Sequence, residues 1–409
     1  MGIDHATEAL PRPQEQVSGS TEEVAARPTA PRRTAPRLAV VDGLRLVAAL
    51  AVAAFHYLGP NDPAIWGARP KAFAYPLHHA AMYGWLGVEA FFLISGFVIC
   101  MSAWGRTPGQ FAVSRISRLY PAYWCALVLI VLRIALIPMQ TKDVGAVIHP
   151  RVVLANLSMF PGALHTNLLD GVAWTLDVEA RFYVLMAVVL TLGTTYSRIL
   201  GFCCAWLVAA FVTTQTHATL LDQFVLSGYA GLFVSGIALY LMYRFGPNLL
   251  LWVLLGVAWA YQMTVLQDRV RIHGADWGVH RTVSWSVCAL LLTGFLALLA
   301  LATIGPLVRV QWRWLITAGA LTYPFYLVHQ SLGIPLAREI THHVPELGHW
   351  VTMGVVLAAM LLLSWLIYRL VDRPVGSWMR RRLTLGLRLD APDGTAGARQ
   401  AWGRVRGTV

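Results

Sequence analysis

Long apolar segments, each bounded by polar or basic residues, follow one another between residues 38 and 372. Most of them are roughly 17–25 residues long, the length that crosses a bilayer as an α-helix. The pattern predicts an all-α integral membrane protein, a polytopic bundle of about ten transmembrane helices. The predicted spans are residues 38–58, 82–102, 118–138, 173–194, 198–216, 224–244, 248–265, 283–305, 313–336 and 350–371.

A shorter apolar stretch at residues 149–163 is interrupted by Pro161. It is too short to span as a helix, so it predicts a re-entrant or interfacial segment.

The composition supports a membrane protein. Hydrophobic residues make up 57% of the chain and charged residues only 13%, against about 25% charged in a soluble domain. The net charge of +12 raises the question of nucleic acid. The arginines lie in the tails and at the ends of apolar segments rather than on one soluble face, so no nucleic-acid partner is expected.

The pattern divides the chain into three parts. Residues 1–37 are rich in Pro, Ala, Thr, Glu and Arg, which predicts a disordered N-terminal tail. Residues 38–372 form the predicted transmembrane domain, and residues 373–409 a basic C-terminal tail. Arginines flank the first and last helices, so both termini are expected in the cytoplasm of a multi-pass cell-membrane protein.

The cysteines and loop histidines suggest no metal site. No cysteine spacing is typical of metal ligation, and free buried thiols are expected. His342, His343 and His349 fall in a predicted outer loop and are interpreted as solvated. The cysteines are Cys100, Cys125, Cys203, Cys204 and Cys288.

The first predicted helix contains two ionisable residues, Arg45 and His56. Polar groups inside a span cost several kcal/mol unless they are paired or hydrated, so each is a functional candidate. Eleven helical steps place the two on one face, about 16 Å apart along the axis. Arg45 is expected in the inner half of the membrane and His56 near the outer end. The alternative is a structural ion pair of Arg45 with Asp42 and an interfacial histidine.

Further ionisable residues fall at two depths. Glu89, Glu179 and His329 are expected near the outer leaflet, at the depth of the first-helix histidine. Arg115 and Arg118 are expected just ahead of the third helix, at the inner face. These two arginines could bind anionic lipid or the phosphates of a ligand, or they could simply anchor the helix at the inner face, as the positive-inside rule describes. Together the positions predict a cavity lined by His and Glu with an arginine-lined inner mouth, suited to an anionic cytoplasmic donor.

These stretches together resemble the acyltransferase 3 family of integral membrane O-acyltransferases, over residues 39–372. The first helix resembles that family's pattern of Arg, ten residues and His. The family has Asp more often than Glu at position 89, and Gln where this chain has Arg181. The matching stretches are GLRLVAALAVAAFH, GVEAFFLISGFVI, RISRLYPAYW, WTLDVEARFYVL and TYPFYLVH.

The resemblance implies transfer of an acyl group, often acetyl, from acyl-CoA to a hydroxyl. The acceptor is expected to be a carbohydrate or surface glycan, or alternatively a macrolide or other secondary metabolite. A direct transfer and a covalent acyl-histidine intermediate both stay open. The implied catalytic residues are His56, Glu179 and Arg45, with Arg115 and Arg118 binding CoA and Glu89, Trp174, Tyr326 and His329 contacting substrate.

A different reading of the buried charges is a proton relay in a proton-coupled transporter or flippase. Transporters of this size often contain internal repeats, and none is visible between the two halves of this chain. A non-catalytic scaffold explains the cost of the buried charges least well.

Overall fold

The computed structural model describes residues 38–136, 149–162, 164–276 and 283–389. The predicted tail at residues 1–37 and the end of the predicted C-terminal tail lie outside them. The described residues form helices and turns, with no strand among them. The helices are α1 (Ala39–Leu58), α2 (Pro63–Trp66), α3 (Pro70–Phe73), α4 (Tyr75–Ala81), α5 (Leu86–Ala103), α6 (Pro108–Leu136), α7 (Pro150–Leu157), α8 (Trp174–Thr191), α9 (Tyr196–Thr216), α10 (Thr219–Val225), α11 (Ser227–Phe245), α12 (Leu249–Asp276), α13 (Trp285–Thr303), α14 (Arg313–Val328), α15 (Gly333–His343), α16 (Gly348–Ile367) and α17 (Arg373–Gly386).

The all-α polytopic fold is confirmed. Among the described residues, eight helical segments are long and apolar enough to cross a membrane. Helix α8 is not among them because three charged residues, Asp177, Glu179 and Arg181, fall in its first half. Helix α14 is not among them because it has only 16 residues. The predicted number of ten spans is therefore not confirmed.

The centre of the bundle is the contact between α5 and α11, where two glycines let the backbones approach. A Cβ on Gly96 would lie 2.2 Å from the carbonyl oxygen of Phe233, and one on Gly236 would lie 2.1 Å from that of Leu93. Small residues at such contacts allow the close helix packing on which membrane proteins depend. Helix α1 packs on one side of this pair, between α5 and α14.

The third spanning helix begins earlier than predicted, at Pro108. Arg115 and Arg118 therefore lie inside α6 rather than ahead of it, and Pro121 lies in the helix interior rather than in its first turn. A proline lacks the N–H that would bond to the carbonyl of Ser117. Gly376 of α17 packs against that carbonyl, where a Cβ would lie 2.7 Å from the oxygen.

Three other helix boundaries differ from the prediction. The span predicted at 313–336 is two helices, because α14 ends at Val328 and a turn precedes α15. Helix α12 continues past residue 265 and carries Arg269. The predicted C-terminal tail begins with helix α17, which packs on α6. The stretch at 149–163 contains the short helix α7 followed by turns.

The cysteines are free thiols, as predicted, but only three of them are buried. Cys125 is partly exposed and Cys204 is exposed.

Candidate active site

Two histidines from distant parts of the chain meet where α1 ends. Nδ1 of His56 lies 3.0 Å from Nε2 of His329, and the ring centroids are 5.1 Å apart. His329 follows the last residue of α14 and is completely buried, whereas His56 is partly exposed. We call this end of the bundle the histidine end, and the opposite end, where α1 begins, the basic end.

The backbone determines which ring nitrogens carry protons. Nδ1 of His329 lies 2.8 Å from the carbonyl oxygen of Tyr326, which can only accept, so this nitrogen carries a proton. In a neutral ring, Nε2 of His329 is then an acceptor, and Nδ1 of His56 must donate to it. Nε2 of His56 is left unprotonated and able to take a proton.

The turn that carries His329 is held by a second chain of hydrogen bonds. The hydroxyl of Tyr57 donates to the carbonyl of His329 at 2.7 Å. The indole N–H of Trp66 in turn donates to the carbonyl of Tyr57, also at 2.7 Å. Both donors are buried, so the two histidines are fixed on rigid supports.

A cavity of about 50 Å³ lies between α1, α5, α8 and α14. Tyr326 connects it to the histidine pair, because the Tyr326 ring also packs against His329 with 5.6 Å between centroids. Trp174 does not line the cavity but packs on Phe92, which does. The lining residues are Arg45, Val88, Phe91, Phe92, Ser95, Thr175, Leu176, Glu179, Thr322, Tyr323 and Tyr326.

Glu179 lies in this cavity and not beside His56. Its carboxylate accepts a 2.7 Å hydrogen bond from the hydroxyl of Ser95 on α5. It acts electrostatically on Arg45, as Asp42 also does. His56 is therefore contacted by His329 and not by Glu179, and the catalytic role that the resemblance implies for Glu179 stays a prediction.

Glu89 is placed away from the cavity lining. It is completely buried and forms an ion pair with Arg269 of α12. The guanidinium of Arg269 also stacks on Tyr229, with its central carbon 3.9 Å from the ring centroid. Arg269 lies beyond residue 265, where the apolar pattern predicts the end of this helix, so the pattern does not indicate this ion pair. The predicted substrate contact of Glu89 stays untested.

The basic end gathers arginines from three elements. Arg118 forms a 2.8 Å ion pair with Asp372. Arg115 of α6 is close enough to Arg106 that the two repel, and Arg380 of α17 repels Arg106 as well. Burial and these two neighbours lower the pKa of Arg106, which lies in the loop before α6.

The other arginines of this group lack a counter-charge in the described part of the chain. Among the ion pairs of the described residues, Arg118 has a carboxylate partner but Arg106, Arg115 and Arg380 do not. Nε of Arg115 is buried, with no hydrogen-bond partner in the described part of the chain. Like charges held together without a counter-charge favour a polyanionic ligand.

Comparison with known proteins identifies the family of this chain. A family model described as an acyltransferase domain, that of the acyltransferase 3 family, matches residues 38–369. That stretch includes both histidines, the cavity and the arginines of α6. No curated protein and no solved structure matches the chain. The matched residues cover most of the sequence, and the chain therefore belongs to the acyltransferase 3 family of membrane acyltransferases.

Proposed function

We propose that this protein transfers an acyl group, in the first instance acetyl, from acyl-CoA to a hydroxyl group of a carbohydrate or surface glycan. The observation that carries the proposal is the pair of hydrogen bonds from His56 to His329 and from His329 to the carbonyl of Tyr326. This arrangement leaves one imidazole nitrogen, Nε2 of His56, free to act as a general base.

In the proposed reaction, Nε2 of His56 takes the proton of the acceptor hydroxyl. The oxygen attacks the carbonyl carbon of the thioester, and the carbon–sulfur bond then breaks. The proton passes to the departing thiolate, which leaves as free CoA. While His56 is protonated, its Nδ1–H bond to His329 strengthens because the donor is then cationic. His329 orients the base in the manner of the third group of a catalytic triad.

The donor is proposed to bind along the axis of the bundle. Its phosphates contact Arg115, Arg106 and Arg380 at the basic end, and its flexible arm passes through the cavity towards the histidines. Arg45 lies about 16 Å from His56 along α1, so the two do not reach one reacting atom. Arg45 accordingly contacts the donor arm together with Glu179, rather than the thioester carbonyl at His56.

The acceptor is proposed to approach from the histidine end, where His56 is partly exposed. With both termini in the cytoplasm, this end faces the outer leaflet, where surface glycans are displayed. A macrolide or another secondary metabolite with a free hydroxyl fits the same chemistry and is the alternative acceptor.

The test uses purified protein in lipid nanodiscs with acetyl-CoA labelled in the acetyl group. Free thiol and label in the product are measured with membrane glycans and with a macrolide as acceptor probes. His56→Ala should abolish transfer, and His79→Ala should leave it unchanged. The His79 ring bonds only within its own helix, to the carbonyl of Tyr75, and so serves as the matched control.

Label transferred to glycan supports the proposal, and label transferred only to the macrolide selects the alternative acceptor. Transfer that survives in His56→Ala would remove His56 from the mechanism. Thiol release by neither wild type nor variant with any probe would contradict acyl-CoA as the donor.

A further inference from the structure

The turn after α14 is attached to a buried carboxylate from another part of the chain. Ser331 lies two residues after His329, and its hydroxyl donates to Oδ1 of Asp170 at 2.6 Å. Asp170 lies in the loop between α7 and α8 and is only 1% exposed. Neither Asp170 nor Ser331 belongs to a sequence pattern that indicates a functional residue.

The loop that carries Asp170 is itself firmly held. The side chain of Asn156, at the end of α7, accepts from the backbone N–H of Leu169 at 3.0 Å and donates to the carbonyl of Asn167 at 2.9 Å. The hydroxyl of Tyr123 on α6 donates to the carbonyl of Asn156 at 2.6 Å. Asp170 is therefore a fixed point that can position what it binds.

The two segments also touch one residue further along. A Cβ on Gly171 would lie 2.9 Å from Oε1 of Gln330, so the loop lies close to the side chain of the residue that follows His329. Thr175, at the start of α8, lies 3.0 Å from the hydroxyl of Tyr326, whose backbone carbonyl fixes the proton of the His329 ring. The loop and α8 thus hold the histidine turn on both sides.

Burying the carboxyl group of Asp170 costs free energy, and a merely structural contact would not need a carboxyl group. Oδ2 has no hydrogen-bond partner among the described residues, and burial raises the pKa of the carboxyl to about 7. Buried polar atoms without partners are rare and call for a specific reason. Oδ1 accepts from Ser331 and also from the backbone N–H of Val172 at 3.4 Å. The hydrogen bond from Ser331 requires Oδ1 of Asp170 as an acceptor, but it does not require the carboxyl group to be charged.

We propose that Asp170 is a positioning residue for the acyl-transfer reaction, which acts through Ser331 to hold the turn of His329 and so the orientation of His56. The inference rests on the proposed function for its catalytic consequence, but the contact with the His329 turn is independent of it. Asp170 touches neither reacting group.

The experiment labels the histidines with ¹⁵N and records their ring signals in the detergent-solubilised full chain, with His329→Gln used to assign the His329 signals. Asp170→Ala and Ser331→Ala should each move the His329 ring signals. Asp170→Asn should retain the wild-type signals, because its amide oxygen still accepts from Ser331. Asp268→Asn, at an exposed position of α12 whose ion-pair partner is the exposed Arg271, should move nothing.

Turnover of acetyl-CoA provides the second readout. Asp170→Ala and Ser331→Ala should each lower kcat about tenfold with KM for acetyl-CoA unchanged, and the double variant should be no worse than either single variant. If Asp170→Ala lowers kcat because the fold is damaged, its melting temperature should fall as well. In that case kcat of Ser331→Ala, which removes only a single oxygen atom, tests the inference.

Unmoved His329 signals in both Asp170→Ala and Ser331→Ala would overturn the inference. Signals that move in Asp170→Asn as far as in Asp170→Ala would also overturn it, because charge rather than the accepted hydrogen bond would then matter. If wild type consumes no acyl-CoA, the proposed function fails, whereas the ring signals still report on Asp170.

Discussion

The two ends of the bundle hold buried polar groups in opposite ways. At the histidine end, His56, His329 and Tyr326 form a chain of hydrogen bonds between groups that can all be neutral. At the basic end, arginines keep permanent charges. Arg118 has a carboxylate partner, whereas the three arginines of the proposed phosphate site, Arg106, Arg115 and Arg380, have none in the described chain. The first arrangement suits moving a proton, and the second suits holding an anion. If the proposed function holds, binding and chemistry are separated along the axis of the bundle.

The largest expected effect concerns stability at the histidine end. Burial raises the pKa of Asp170 to about 7, against 3.8 for the free side chain. Between these two values the native state binds more protons than the unfolded state, so stability falls as pH rises from 4 to 7, by a few kcal/mol.

Melting temperatures of wild type and Asp170→Asn across pH 4–8 measure this effect. The advantage of Asp170→Asn should grow with pH up to about 7 and then level off. A difference that stays constant across the range would show that Asp170 remains charged throughout, and would contradict the neutral character of this end.

The next effect is on the chemical step. His329→Leu removes the acceptor of the His56 Nδ1–H and leaves that ring free to choose the other tautomer. We expect kcat to fall about a hundredfold, a typical loss for an impaired general base. Acetyl-CoA turnover measures it, with His342→Leu on exposed α15 as the control. An equal fall in kcat in His329→Leu and His342→Leu would show that the loss of activity does not come from breaking the histidine pair.

Donor binding should depend on the arginines unequally. Arg115→Gln should raise KM for acetyl-CoA about tenfold, because losing one hydrogen bond to a charged group weakens binding by about that factor. Arg118→Gln should raise it less, because Asp372 already neutralises Arg118. Steady-state kinetics at several donor concentrations measure both. Equal effects would show that the ion pair with Asp372 does not distinguish the two arginines.

The smallest effect tests the same ion pair from its other partner. Asp372→Asn releases Arg118 to face the donor, so KM for acetyl-CoA should fall about two- to fivefold, in keeping with the modest strength of a partly exposed ion pair. The same kinetic measurement applies. A rise in KM with an unchanged melting temperature would mean that Asp372 itself contacts the donor.

The sequence predicted the fold class and several of the residues that meet, because helix periodicity and the cost of buried charges are local signals. Arg45 and Glu179 both line one cavity, and His56 and His329 touch. Periodicity could not reveal which polar groups pair across helices. Ser95, which donates to Glu179, is a small residue in an apolar helix, and nothing in its sequence position indicates this bond.

Helix ends were the other source of error. The apolar pattern fades after residue 265, yet α12 continues to Asp276 and brings Arg269 to Glu89. The predicted third helix begins at residue 118, which would place Pro121 in its first turn. In the structure α6 begins at Pro108 and Pro121 lies inside it, and the sequence signal of a proline is the same in both positions. The burial of Asp170 could not be predicted from the sequence, because Asp170 lies in a loop and buried residues in a loop follow no periodic pattern.

The separation of binding and chemistry can be tested directly by a cryo-EM structure of the protein with an acetonyl thioether analogue of acetyl-CoA, which cannot be cleaved. The account predicts phosphates against Arg115, Arg106 and Arg380, the arm in the cavity beside Arg45, and the carbonyl near Nε2 of His56. Phosphates bound at the histidine end, or a carbonyl held beside Arg45 far from His56, would contradict it.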